Sequence, residues 1–163
     1  MLRVDQAGEY GATRIYAGQL AVLRSNCPEA KLVARMAAQE ERHLKRFNAL
    51  MAERGVRPTV LQPLWNVAGF ALGAATALIS ESAALACTDA VETEIDKHYS
   101  KQLAELGDQD PELAADIADF QADELEHRDT AREAGAMNAP AYPLLTAAIR
   151  AGCKVAIGLS KRI

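Results

Sequence analysis

Two tetrads constrain this chain more than anything else in it: Glu40-Glu41-Arg42-His43 and Glu124-Leu125-Glu126-His127, each a Glu-x-x-His. On a helix, residues three apart share a face, so each tetrad presents a carboxylate beside an imidazole. With 13 Glu and only 3 His in 163 residues, random placement gives on the order of 0.2 such pairs. The two tetrads also sit in seams that are otherwise apolar. The first reads Val33, Met36, Glu40, His43, Phe47, Leu50 and the second Leu113, Ile117, Phe120, Glu124, His127, Ala131, both stepping by three and four. Ionisable groups on a core face are costly unless paired or bound to metal.

The rest of the chain supplies two partners at matching distances. A helix of about 5–25 carries Glu9 on a face with Ala12, Tyr16, Gln19 and Leu23, and ends before Pro28, which opens the next helix. A third, from Glu81 to Leu106, carries Glu92 on a face with Leu85, Thr88, Ile95 and Tyr99. The order is therefore Glu, Glu-x-x-His, Glu, Glu-x-x-His, with 31 residues from Glu9 to Glu40 and 32 from Glu92 to Glu124. This is a twofold repeat of a helical hairpin. Counted from the turns near Cys27 and Asp108 at about 1.5 Å per residue, the six side chains reach one depth to within about a turn.

The expected fold is all-α, a ferritin-like four-helix bundle in one domain over 1–163. Its hairpins span about 5–53 and 81–135, joined by a long apolar crossover over 56–80 and followed by an amphipathic helix over about 141–160. Ala and Leu are abundant and aromatics make up 5% of the residues, which favours helix over strand. A net charge of −4 and a pI near 5.4 argue against nucleic acid as a partner. Cys27, Cys87 and Cys153 are odd in number and far apart, so neither a disulfide framework nor a thiolate metal site is expected. Val4 already lies in the first helical pattern, so no signal or transit segment is expected ahead of it.

Thr59 to Ser80 is a 22-residue stretch without a charge. Its length invites a membrane-spanning reading, but Gln62, Pro63, Asn66, Gly69 and Gly73 weaken it, leaving a buried or membrane-surface segment. The tail from Tyr142 is apolar, with Arg150, Lys154, Lys161 and Arg162 and no acid. It reads either as a basic amphipathic helix on a membrane or another subunit, or as an extra packing helix.

Four carboxylates and two imidazoles from four helices are the ligand set of carboxylate-bridged di-iron and di-manganese proteins, and oxygen and nitrogen donors without thiolate suit those metals. Glu40 and Glu124 are the expected bridges, Glu9 and Glu92 the terminal carboxylates, and His43 and His127 one imidazole per metal. Tyr99 is a candidate catalytic residue near the metals, with plain packing an equal alternative. Asp123 is a candidate partner for a ligand histidine. Glu41, Glu94 and Glu126 read as surface groups or groups behind the ligands, and His98 as exposed or at the core edge.

The opening Arg3-Val4-Asp5-Gln6-Ala7-Gly8-Glu9-Tyr10-Gly11-Ala12, then Arg14-Ile15-Tyr16-Ala17-Gly18-Gln19, resembles the demethoxyubiquinone hydroxylases of ubiquinone biosynthesis. So do Arg57-Pro58-Thr59, Pro63-Leu64-Trp65-Asn66, Ala86-Cys87-Thr88, Ala90-Val91-Glu92, Asp123-Glu124-Leu125-Glu126-His127 and Ala151-Gly152-Cys153. The likeness runs over essentially the whole chain, with Gln6 standing where many members have histidine. It implies a membrane-associated di-iron monooxygenase with two iron ions per chain, a 5-hydroxylase acting on a polyprenyl demethoxy-benzoquinone or its quinol. The reaction would use O2 and electrons ultimately from NADH. It also implies a peripheral site on the cytoplasmic face of a bacterial membrane or the matrix face of the mitochondrial inner membrane, with a lipid-binding accessory protein and a homo-oligomer as further partners. Two alternatives stand beside it: a rubrerythrin-like peroxide reductase or ferroxidase on the same bundle, and a metal-free lipid-binding scaffold.

Overall fold

The computed structural model describes residues 1–162. Six α-helices follow in order: α1 Leu2–Val22, α2 Pro28–Glu53, α3 Gln62–Ile79, α4 Glu81–Leu106, α5 Pro111–Glu133 and α6 Tyr142–Ser160, with a 3-10 turn at Ala136–Asn138 before the last. No strand occurs among the described residues, and the architecture is an all-α bundle, as expected. The ends follow local chemistry. Pro28 and Pro111 occupy first-turn positions, where their missing N–H costs nothing. The Asp110 carboxylate accepts from Leu113 N at 3.2 Å, Ser80 Oγ accepts from Ala83 N at 3.0 Å, and Cys27 Sγ accepts from Ala30 N at 3.3 Å. Gly107, at φ 49, ends α4.

The first hairpin differs from the sequence reading at both edges. The helix begins at Leu2 because Leu2 and Val4 are buried core residues, and it stops at Val22 because Leu23 turns to extended backbone. The stretch read as crossover is largely a helix, α3, lying along α1.

Helices α1 and α2 pack as one hairpin and α4 and α5 as another, with α1 against α4 and α2 against α5. The facing pairs are antiparallel: Gln102 bonds Asp5 while Gln19 bonds Ala84, and Arg42 meets Asp119 while Arg54 meets Asp110. The α2–α5 seam is a ladder of arginines on one helix and acids on the other, including Arg46 Nε to Asp116 Oδ2 at 2.8 Å and Arg46 Nη2 to Glu112 Oε1 at 2.9 Å.

The opposite side is apolar. Helices α3 and α6 cover α1 and α4, and Trp65 Nε1 on α3 donates to Ser160 Oγ on α6 at 3.1 Å. Helix α3 reaches α1 because two glycines let the backbones meet. A Cβ on Gly73 would lie 1.9 Å from Ile15 O, and one on Gly18 would lie 2.1 Å from Phe70 O. The outward faces of α3 and α6 remain bare, with Leu64, Val67, Leu78, Leu144 and Val155 exposed. Among the described residues, α6 alone is long and apolar enough to cross a membrane.

Candidate metal centre

Each helix of the bundle turns one stripe inward, and the six residues singled out by spacing lie on those stripes. Glu9 and Glu92 are 1% exposed, Glu40, His43 and Glu124 0%, and His127 1%. The apolar stripe above and below them is what carries them there. Phe47, Leu50, Leu113, Ile117 and Phe120 belong to the core on one side, and Val33, Met36, Ala12 and Tyr16 to that on the other.

The six side chains converge as two overlapping groups. Donor atoms of Glu9, Glu40, His43 and Glu124 lie within 4.8 Å of one another, and so do those of Glu40, Glu92, Glu124 and His127. Glu40 and Glu124 belong to both. His43 Nδ1 stands 3.3 Å from Glu9 Oε2 and 3.2 Å from Glu124 Oε1, and His127 Nδ1 stands 3.2 Å from both Glu40 Oε1 and Glu124 Oε2. Neighbouring ligands around a metal with bonds of about 2.1 Å are themselves about 3 Å apart.

Hydrogen bonding sorts the same atoms into outward and inward ones. Tyr16 OH donates to Glu92 Oε1 at 2.7 Å, and Tyr99 OH donates to Glu9 Oε1. His43 Nε2 pairs with Asp123 Oδ2 at 2.9 Å, and His127 Nε2 pairs with Gln39 Oε1 at 3.1 Å. The buried donor and acceptor atoms left without a hydrogen-bond partner include Glu9 Oε2, Glu92 Oε2, both oxygens of Glu40, both oxygens of Glu124, and Nδ1 of both histidines. One free oxygen on each terminal carboxylate, two on each shared one and one free nitrogen per imidazole make the complement that two bridged cations would take up. With Nε2–H donating to Asp123 or Gln39, each Nδ1 would be the nitrogen left to offer its lone pair to a bound cation. His43 also stacks on Phe120, ring centroids 4.1 Å apart.

Electrostatics makes the same demand. Burial, with neighbouring carboxylates adding to it, pushes the Glu40, Glu92 and Glu124 carboxyls up. Burial pushes the His43 imidazole down, but the Glu124 and Glu9 carboxylates facing its Nδ1 outweigh it and raise the group to about 10. Burial lowers His127. Four buried carboxylates facing one another call for positive charge between them, and two divalent cations would balance it. Burial and then the surrounding carboxylates push the Tyr16 and Tyr99 phenols well above their ordinary range, so both stay protonated and donate. The residues present fit a pair of metal ions.

All six residues read as ligands are thus brought together, and Tyr99 lies one hydrogen bond from Glu9. Asp123 contacts a histidine of the cluster as the sequence suggested, though that histidine is His43 of the other hairpin. Glu41 and Glu126 are exposed. Glu94 was misread: it is 4% exposed and accepts from Arg150 Nε at 2.7 Å and Lys97 Nζ at 2.9 Å, which fastens α6 to α4. His98 is half-buried, its Nε2 2.9 Å from Asp5 Oδ1. Gln6 is buried and donates to Asn48 Oδ1 at 3.2 Å. The roles of Tyr16 and Gln39 were missed, although the repeat carries a signal for both. Tyr follows Glu by seven residues in Glu9…Tyr16 and Glu92…Tyr99, and an acceptor precedes each Glu-x-x-His, at Gln39 and Asp123.

Comparison with known proteins adds an independent finding. A family model described as ubiquinone biosynthesis protein COQ7 matches residues 1–160. The chain is 56% identical to a Rhodospirillum rubrum protein named 3-demethoxyubiquinol 3-hydroxylase, over 99% of this chain and 76% of that one. It is 52% identical to a Homo sapiens protein named NADPH-dependent 3-demethoxyubiquinone 3-hydroxylase, mitochondrial, over 100% of this chain and 76% of that one. It is 44% identical to a Saccharomyces cerevisiae protein named 5-demethoxyubiquinone hydroxylase, mitochondrial, over 100% of this chain and 77% of that one.

Proposed function

The chain belongs to the family described as ubiquinone biosynthesis protein COQ7, and from that premise we propose that it is an O2-dependent hydroxylase of a polyprenyl demethoxy-benzoquinone or quinol, working with two iron ions. The observation that carries the reading is the pair of donor groups sharing Glu40 and Glu124, with every inward atom unpartnered. Glu9 and His43 would hold one ion, Glu92 and His127 the other, and Glu40 and Glu124 both. Bound iron would supply the activation of O2, one atom of which would enter the ring while the other leaves as water with two protons and the two electrons of the reductant. The ring position is 3 or 5 according to the naming of the relatives. The electrons would come from a reduced nicotinamide nucleotide. The sequence reading favours NADH, and the human relative's name specifies NADPH.

The chain's own residues do the rest. Tyr16 and Tyr99 hold the outer oxygens of Glu92 and Glu9, leaving one oxygen of each facing inward. Asp123 and Gln39 set the imidazole tautomers. The apolar layer that Ile15 and Val91 form with Leu72 of α3 and Ile149 of α6 would keep water from the cluster. It also offers an isoprenoid substrate a route inward from the bare outer faces of those helices, which would rest on a bilayer surface. The same faces could receive a lipid-binding accessory protein or a second copy of the chain. A peroxide reductase or a metal-free scaffold would leave the match over residues 1–160 unexplained.

Anaerobic reconstitution with ferrous iron, followed by elemental analysis and Mössbauer spectroscopy, tests the centre. Two coupled irons per chain are expected, lost in Glu40→Ala and His127→Ala. Incubation of the loaded, reduced chain with a demethoxyquinone and O2 should then yield the hydroxylated ring. Failure to hold stoichiometric iron would sink the reading.

A further inference from the structure

Helices α1 and α4 face each other with the same polar residues at the same steps: ten residues after each terminal carboxylate stands a buried glutamine, Gln19 and Gln102. Four residues before each carboxylate the symmetry breaks. On α1 the residue is Asp5, whose oxygens accept from His98 Nε2 at 2.9 Å and Gln102 Nε2 at 2.8 Å. On α4 it is Thr88, 1% exposed, whose hydroxyl has no partner.

That hydroxyl is unusual for its setting. A threonine inside a helix normally donates to the carbonyl four residues back, as Thr76 does to Leu72 O, Thr93 to Asp89 O and Thr146 to Tyr142 O. For Thr88 that carbonyl is Ala84 O, which accepts instead from Gln19 Nε2 at 2.9 Å. Thr88 lines a thin slit between α1 and α4, walled by Ala12, Ile15, Tyr16, Val91 and Glu92 and with no room for a water molecule. Neither backbone nor solvent satisfies the group.

We propose that Thr88 is the residue that positions the substrate ring, its hydroxyl bonding one ring oxygen of the quinone or quinol in the slit beside Glu92. This rests on the hydroxylase reading above and goes beyond it. The chemistry of the slit matches such a ring: apolar walls for its faces, one hydroxyl for one oxygen, and Glu92 of the donor cluster at its end. A threonine hydroxyl can donate to a quinone carbonyl or accept from a quinol hydroxyl, so both redox forms are accommodated. The slit as it stands is closed to a ring, so α1 and α4 must part at Ile15 and Val91 to admit one. These two side chains also form the inner boundary of the apolar layer beneath α3 and α6.

The test uses the full chain loaded with iron, with Thr88→Val and Thr88→Ser beside it. Binding is measured by calorimetry with a decyl-tailed methoxy-methyl-benzoquinone and with a decyl-tailed ring lacking both oxygens. Iron content and Tm are measured on each variant. Thr88→Val keeps the side-chain shape and removes a buried, unbonded hydroxyl, so it should keep its iron and melt no lower than the parent, yet bind the quinone about tenfold more weakly, the worth of one hydrogen bond. Thr88→Ser should bind it within about twofold of the parent. The oxygen-free ring should not distinguish parent from Thr88→Val. Equal quinone affinity in parent and Thr88→Val overturns the proposal and leaves the hydroxylase reading standing, as does an equal loss for both probes. A parent chain that binds no quinone overturns both.

Discussion

At the scale of single residues, the centre is built from reciprocal pairs that cross between hairpins. The phenol on each of α1 and α4 serves the carboxylate on the other, and the residue before each Glu-x-x-His serves the opposite histidine. Such outer partners hold a ligand's tautomer and direction, and their loss typically costs about 10- to 100-fold in metal affinity. Asp123→Ala is therefore expected to weaken iron binding about 10- to 100-fold, measured by competition with a coloured chelator, with the helical circular dichroism unchanged. Unaltered affinity would mean that Asp123 serves only Arg42, its other partner. Much of this was legible: the six inward residues follow from the three-and-four rhythm of four stripes. The crossing of the pairs was not. Spacing places Tyr99 on the stripe of Glu92, and only the antiparallel packing of α1 on α4 turns it toward Glu9.

At the scale of helices, two different devices attach the outer layer. Helix α3 is held to α1 by backbone approach at Gly18 and Gly73. Gly73→Ala is expected to cost at least about 1–3 kcal/mol, since the added methyl meets backbone that cannot rotate away, and to lower Tm by several degrees. A Tm equal to the parent's would show that α3 shifts freely over α1. Helix α6 is held to α4 by charge, through Arg150 and Lys154 on Glu94. Burial alone would push the Glu94 carboxyl up, but hydrogen bonds from Lys97 and Arg150 hold it below its ordinary 4.5. A carboxyl depressed by folding adds stability that is full above its unfolded value and fades as pH falls through the lower folded one. Glu94→Gln should therefore cost about 1 kcal/mol at pH 7, with the difference from the parent narrowing below pH 4.5. Thermal melts across that range check it, and a gap that widens in acid would refute the assignment. Composition marked both segments as apolar. It could not say that α3 would coil, because a proline and glycine-bearing stretch gains its helix from the partner it lies on.

At the scale of the whole molecule, the bundle has two unlike sides. The arginine–acid ladder between α2 and α5 faces water, while α3 and α6 carry eight of the eleven large exposed apolar side chains among the described residues, Leu78 at 75% and Leu144 at 73% exposure among them. Exposed apolar surface is the form that a membrane or protein contact takes, and the proposed function would rest these two helices on a bilayer. Co-sedimentation with phospholipid vesicles should retain the parent chain and release the double variant Val67→Asp, Leu144→Asp, which alters exposed positions and should melt as the parent does. Retention of both equally would move the contact elsewhere.

What the sequence by itself determined is whatever depends on helical period: the all-α class, the two hairpins, and the six residues that share one depth, because steps of three and four place side chains without reference to any partner helix. What only the tertiary structure decided depends on which helix lies against which. That includes the exchange of tyrosines and histidine partners across the bundle, the burial of Glu94 beneath α6, and the single hydroxyl of Thr88 left without a bond once Gln19 of another helix has taken its acceptor. A contact between helices is set by packing, and local spacing carries no record of it.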